Sequence, residues 1–246
     1  MEPIYSQDFT ITDLYVDRYG RLAPSKILYI MQEVAGFHFS KLAMDYEALA
    51  LRGMFWAVTR HKVQVTRLPL RGETIRVETW PMPTTRVAYP RSMVAFDSKG
   101  NECFRSISLW VLMDLNDRNM ILPGKSGIEV AGTLRGNELA SPMGLPAKTL
   151  QNRRERMVCF TDLDRNGHMN NTKYLDWIDD LLPSSFHAAH TVKEFTVCYM
   201  SEAREGDQIR VHYELADDGS LQVNGMMENP DGGSFHRIFA VRARYL

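Results

Sequence analysis

Apolar and polar positions alternate through most of the chain, and two stretches break into helical spacing. In the first half, Ile27, Ile30, Met31 and Val34 mark one face of a helix, with Pro24 suited to its first turn. A further helical stretch is predicted over about Phe39–Leu51. In the second half, Tyr174, Leu175, Ile178, Leu181 and Leu182 form a matching stripe; Asn170 or Asn171 can cap its start and Pro183 stops it. Short strands are expected before each helix, at Phe9–Tyr15 and Met157–Asp162. Strands follow at Trp56–Leu68, Glu73–Trp80, Arg91–Asp97 and Cys103–Leu115, then at Thr191–Met200, Gln208–Leu215, Leu221–Glu228 and Phe235–Tyr245. Glycines punctuate them as turns. Gly124 to Lys148 is rich in Gly, Pro and Ser and reads as a connection between the halves.

The order strand, helix, strands occurs twice, and the sequence itself repeats. Asp17-Arg18-Tyr19-Gly20-Arg21, with Lys26 and Leu28, is echoed by Asp164-Arg165-Asn166-Gly167-His168, with Lys173 and Leu175, at an offset of 164 − 17 = 147. Gly72-Glu73-Thr74-Ile75-Arg76-Val77 is echoed by Gly206-Asp207-Gln208-Ile209-Arg210-Val211 at 206 − 72 = 134. Two α+β units are expected, each a curved antiparallel sheet wrapping a central helix, with the sheets joined edge to edge. The predicted boundaries are 1–130, a linker at 131–148, and 149–246.

Composition narrows the function. The net charge of −1 offers no global attraction to nucleic acid or anionic membrane. Three scattered cysteines suggest neither zinc nor a disulfide framework. Met1-Glu2-Pro3-Ile4 lacks the basic start and apolar run of a secretory signal, and Ile107–Met113 is too short to span a bilayer. A cytoplasmic protein without cofactor or metal is expected.

Asp162-Leu163-Asp164-Arg165-Asn166-Gly167-His168-Met169-Asn170-Asn171 is the segment richest in chemistry. Run as a strand, it would point Asp164, Asn166 and His168 the same way. A helix start beyond it would offer N–H groups for a developing oxyanion. Histidine moves protons near neutral pH, and a carboxylate can hold its imidazole in one tautomer. Alone, the pattern is also ordinary turn chemistry. The first copy keeps Asp17 and Gly20 but carries Tyr19 and Arg21, which makes Asn166 and His168 the added residues.

This segment, continued to Tyr174, resembles the signature of the acyl-ACP thioesterases. Gln32-Glu33, Trp56-Ala57-Val58-Thr59-Arg60, Thr79-Trp80 and Ser108-Leu109-Trp110 resemble further motifs of that family. The resemblance implies a tandem, or double, hotdog fold and hydrolysis of acyl-[acyl-carrier-protein] to free fatty acid, ending fatty-acid synthesis. It implies catalytic roles for Asp164, Asn166, His168 and Glu202; the oxyanion role is expected of the helix start at Asn170 and Asn171, and the repeat makes the first unit's site degenerate. Several relatives carry a cysteine beside the glutamate; here it is Ala203, so activated water replaces a cysteine nucleophile. Either Glu202 or His168 takes the proton from water in this reading, and a basic Glu202 near neutrality would gain from burial. The repeat partner of Glu202 is Leu68 (202 − 134 = 68).

Family resemblance also places chain selection in the first half, where Met31, Phe37, Met54 and Trp56 are candidate acyl-chain residues, although such residues are more often core. Acyl carrier protein is acidic, which suggests docking on Arg52, Arg60, His61, Lys62, Arg67 and Arg71 or on Arg153, Arg154 and Arg156. A homodimer is compatible with the reading. The alternatives are an acyl-CoA thioesterase, a hotdog dehydratase or hydratase, and a non-catalytic acyl-binding module.

Overall fold

The computed structural model describes residues 3–246, so Met1 and Glu2 of the N-terminal reading lie outside it. The chain divides into two compact units between Pro142 and Met143.

Unit 1 contains strand β1 (Tyr5–Thr10), helices α1 (Pro24–Lys41) and α2 (Tyr46–Ala50), and strands β2 (Met54–Val65), β3 (Thr74–Pro81), β4 (Tyr89–Phe96) and β5 (Glu102–Asp114). The short β6 (Met120–Ile121) and α3 (Pro123–Ser126) follow. Its antiparallel sheet runs β1-β3-β4-β5-β2, and β6 pairs with β5. Pro24 opens α1, where its missing N–H costs nothing. The helix buries Ile27, Leu28, Ile30, Met31, Val34, Ala35, His38 and Phe39. The two predicted helices are divided differently from expectation. Helix α1 runs on through Phe39 to Lys41, the chain breaks at Ala43 with φ 53°, and Asp45 starts α2 by accepting from Ala48 N–H at 3.0 Å.

Unit 2 contains β7 (Asn152–Met157), a 3-10 turn at Phe160–Asp162, α4 (Lys173–Asp179), α5 (Ser184–Ala189), and β8 (Val192–Tyr199), β9 (Gln208–Leu215), β10 (Ser220–Glu228) and β11 (Phe235–Tyr245). Its order is β7-β9-β10-β11-β8. Substituting equivalent strands gives the order of unit 1, so the sequence repeat is a repeat of topology, and the α+β hotdog expectation holds for each unit. Helix α4 is shorter than the predicted stripe. It ends at Asp179, with Leu181 and Leu182 buried beyond it and Pro183 opening α5.

The opening strands lie upstream of their predicted positions. Both close a sheet path, and β7 reads Asn-Arg-Arg-Glu-Arg-Met. A charged edge strand discourages pairing with strangers and so lacks an apolar alternation to detect. The converse holds for β4 and β5, which are buried on both faces along most of their length. Helix α1 covers one face. Chain beyond α3 crosses the other: Thr133 N–H donates to Pro81 O (2.9 Å), Arg105 Nη1 to Asn137 O (2.6 Å), and Arg135 lies 4.8 Å from the Trp80 ring centroid. In unit 2, Arg237 Nη1 donates to Leu145 O (2.9 Å) and Asn224 Nδ2 to Lys148 O (3.1 Å). The Gly/Pro-rich connection is therefore a strap pinned to strands within each unit.

Candidate active site

The segment from Asp162 to Asn171 forms a tight loop and not the extended run that alternation suggested. Gly167 N–H donates to Asp164 O at 3.1 Å, and Asp164 N–H donates to His168 O at 2.8 Å. Gly167 takes φ 75°, a conformation that a side chain would strain. Asp164 Oδ1 accepts the N–H groups of Asn166 (2.8 Å) and His168 (3.3 Å). The Asp164 carboxylate thus builds the loop and does not hold the imidazole. Leu163 pairs with Met169 across it, which reverses the chain.

A second segment, between β8 and β9, docks on this loop. Met169 N–H donates to Ala203 O at 2.8 Å, and His168 and Arg204 form a β-bridge. Asp207 fixes that segment by accepting from Arg204 N–H at 2.7 Å. The outcome is a contact between side chains distant in sequence: His168 Nε2 lies 3.1 Å from Glu202 Oε2. The imidazole is largely enclosed, with 13 % of its side chain exposed, whereas Glu202 retains 41 %. The burial expected for Glu202 is therefore lacking, and its carboxylate is within reach of water. Asn166 is exposed on the same loop, its Nδ2 3.5 Å from Asp164 Oδ2.

Unit 1 repeats this scaffold bond for bond. Asp17 Oδ1 accepts from Tyr19 N–H (2.8 Å) and Arg21 N–H (3.1 Å), and Asp17 N–H donates to Arg21 O (2.8 Å). Leu22 N–H donates to Pro69 O (2.8 Å), the counterpart of Met169 to Ala203, and Glu73 caps Leu70 N–H (2.8 Å) as Asp207 caps Arg204. Sequence reasoning missed this second cap, although Glu73 and Asp207 already matched in the repeat. The chemistry differs. Arg21 turns its guanidinium onto Asp17 (3.0 and 2.9 Å), and Leu68 stands where unit 2 has Glu202.

Of the N–H groups that the expected oxyanion role would draw on, those of Asn170, Thr172 and Lys173 are committed within the chain. Asn170 N–H is committed to Asp162 O (2.8 Å), Thr172 N–H to Asn170 Oδ1 (3.0 Å) and Lys173 N–H to Asn170 O (3.0 Å). Asn170 therefore braces the start of α4. Asn171 O accepts from Tyr199 OH at 2.8 Å. Tyr199 meets the edge of Tyr174, which packs on Phe239. Burial pushes both phenols up, aided for Tyr174 by the Asp207 and Glu202 charges, so both stay protonated. Gly225 is required behind them: a Cβ there would come within 2.0 Å of the Phe239 ring.

The candidate acyl-chain residues scatter within unit 1. Met54 and Trp56 join an apolar cluster with Phe39, Tyr89, Trp110 and Leu112. Phe39 stacks on Trp56 at 4.9 Å and is the aromatic that α1 contributes to the cluster, in place of the expected Phe37. Phe37 stands 47 % exposed outside that cluster, and Met31 is buried on α1 outside it as well. The proposed docking cations are mostly engaged locally. Arg67 pairs with Glu73 and Asp97, Arg71 with Asp13, and Arg156 with Asp180. Arg52 and Arg60 donate to backbone carbonyls, and His61 is buried. Cys198 is a buried strand residue. No helix among the described residues is long and apolar enough to cross a membrane.

Comparison with known proteins places this arrangement. Residues 2–122 match the acyl-ACP thioesterase N-terminal domain, and residues 147–238 match its C-terminal domain. The chain is 30% identical over 166 residues to a dodecanoyl-[acyl-carrier-protein] hydrolase of Cinnamomum camphora, covering 63% of this chain and 43% of that protein. It is 25% identical over 217 residues to a palmitoyl-acyl carrier protein thioesterase of Gossypium hirsutum, covering 81% and 52%. The chain thus spans about half the length of the curated relatives it matches. Among solved structures, an acyl-ACP thioesterase from Bacteroides thetaiotaomicron superposes with a TM-score of 0.88 at 21% identity, over 99% of this chain and 98% of that one. The 12:0-ACP thioesterase of Umbellularia californica superposes with a TM-score of 0.81 at 22% identity, over 100% and 98%. These likenesses give the fold as the double hotdog.

Proposed function

The chain belongs to the acyl-ACP thioesterase family, and we propose that it hydrolyses the thioester of acyl-[acyl-carrier-protein], releasing a free fatty acid. The observation that carries this reading is the 3.1 Å contact between His168 Nε2 and Glu202 Oε2, found in unit 2 and replaced by Arg21 and Leu68 in unit 1. A scaffold kept in both copies serves folding; the pair added to one copy serves chemistry.

In the proposed reaction Glu202, the more exposed partner, accepts a proton from water. His168 donates Nε2–H to the carboxylate and fixes its orientation. The water oxygen bonds to the thioester carbon, and charge moves to the carbonyl oxygen. The exposed Asn166 amide donates to that oxygen. The C–S bond then breaks, and the proton held by the Glu202–His168 pair passes to the leaving sulfur. The products are a carboxylic acid and the carrier thiol. Asp164 acts as a positioning residue through the backbone of the loop. Three unpaired cysteines support a reducing, cytoplasmic setting.

Thiol release from acyl-ACPs of graded chain length, with matching acyl-CoAs in parallel, tests the proposal. Release from acyl-ACP that Glu202→Gln and His168→Ala each cut by about 10²–10⁴-fold is expected. Undiminished release in both variants would remove the site, and preference for acyl-CoA would change the carrier.

A further inference from the structure

The inner face of the unit 1 sheet holds a charged group that the proposed hydrolysis does not use. Arg91, on β4, is 3% exposed. Its Nη1 lies 3.0 Å from His38 Nδ1 and donates to Thr79 Oγ1 at 3.3 Å. Arginine has no acceptor, so His38 Nδ1 is the acceptor here and that imidazole is neutral. The Phe39 ring packs 4.4 Å from the guanidinium carbon. Nε and Nη2 have no hydrogen-bond partner, and among the described residues no carboxylate pairs with Arg91. Burial pulls its pKa down to about 9, which leaves a cation at neutral pH. On the same face, Ser106 Oγ is also buried without a partner, and burial holds His61 neutral, at about 3.

A buried cation without an anion is costly. Nε–H and Nη2–H lie on one edge of the guanidinium and point in parallel, the fork that meets both oxygens of a carboxylate. The neighbouring surface is apolar. Phe39 joins Tyr89, Trp110 and Met54, and the flanking Met44, Trp56 and Val58 are only partly buried. A compact hydrated anion would gain nothing from those rings, whereas an alkyl tail would.

We propose that Arg91 anchors the carboxylate of an alkyl carboxylate in unit 1. Two sources share that chemistry: a free fatty acid, or an acyl chain with a second carboxylate at its far end. The second source rests on the acyl-ACP hydrolase reading; the first does not.

Decanoate, methyl decanoate and 1-decanol are the probes, titrated against the full chain by calorimetry or by fluorescence of Trp56 and Trp110. The wild-type chain is expected to bind decanoate at least about tenfold more tightly than the two neutral probes. Arg91→Met should bind all three equally, and Arg91→Lys should lose most of the preference because it has no fork. Equal binding of the three probes by the wild-type chain overturns the proposal and needs no folded variant. A preference that survives Arg91→Met also overturns it. Hydrolysis separates the sources. Faster turnover of 9-carboxynonanoyl-ACP than of decanoyl-ACP, lost in Arg91→Met, identifies the acyl chain. Decanoate inhibition of decanoyl-ACP turnover, lost in the same variant, identifies the free acid. A chain that hydrolyses no acyl-ACP yet keeps the decanoate preference sinks the hydrolase reading and leaves this site standing.

Discussion

Asp164→Ala, paired with Asp17→Ala, separates scaffold from chemistry inside one molecule. Asp164 Oδ1 holds two backbone N–H groups, at 2.8 and 3.3 Å, and Asp17 Oδ1 holds their counterparts at 2.8 and 3.1 Å. Losing such a cap on a partly exposed loop costs about 1–2 kcal/mol. For a chain of this size that lowers Tm by about 2–8 °C. Asp17→Ala should cost at least as much, because Arg21 also loses its ion pair. The catalytic consequences diverge. In Asp164→Ala the His168 backbone is released, and an ångström of misplacement costs about 10²-fold in kcat, with KM little changed. Asp17→Ala should leave kcat and KM at wild-type values. Asp164→Asn, which keeps an acceptor, should recover much of the loss. The assay is initial-rate thiol release beside thermal melts of the same samples. Equal loss of activity in Asp17→Ala and Asp164→Ala, or full activity in Asp164→Ala, would refute the division of labour.

Other outcomes follow from the same geometry. Cys159→Ser and Cys198→Ser should retain wild-type kcat, since neither thiol contacts the His168–Glu202 pair; loss of activity with an intact melt in either would restore a thiol mechanism. Gly225→Ala should destabilise the chain by about 1–3 kcal/mol, because the new methyl drives Phe239 toward Tyr174; an unchanged urea midpoint counts against that packing. Asp97 is held down to about 2, first by the Asn101 backbone N–H and then by Arg67 and Asn101 side chains. Its contribution is complete above about pH 4, the unfolded value, and is lost as pH falls through 2. Urea melts between pH 5 and pH 2 should therefore show a shallower decline for Asp97→Asn than for the wild-type chain; parallel curves would deny Asp97 that role.

Strands with a buried face were legible in the sequence, and β9 and β11 fall on their predicted bounds. The edges were not, because β7 carries charge at most of its positions. At the site, the Asp, Asn and His were visible as a cluster, but their geometry was not. Period-two reasoning fails where Gly167 reverses the chain. Glu202 entered through family resemblance, since no local pattern links it to a histidine 34 residues earlier (202 − 168 = 34). Arg91 was passed over for a different reason. A lone cation in an alternating strand looks solvent-facing, and the helix that buries it, α1, packs on β4 from distant sequence.

The two repeat offsets differ by 147 − 134 = 13 residues. That surplus falls between the Asp17 loop and β3, where α1 runs Pro24–Lys41 against Lys173–Asp179 for α4. In each unit the loop is clamped to the segment before its third strand by a backbone bond, Leu22 to Pro69 and Met169 to Ala203. Chain inserted between clamped points is absorbed as longer helix while the clamp stays shut. The architecture therefore lets the length of its helical arm drift over generations without dragging the reactive loop along.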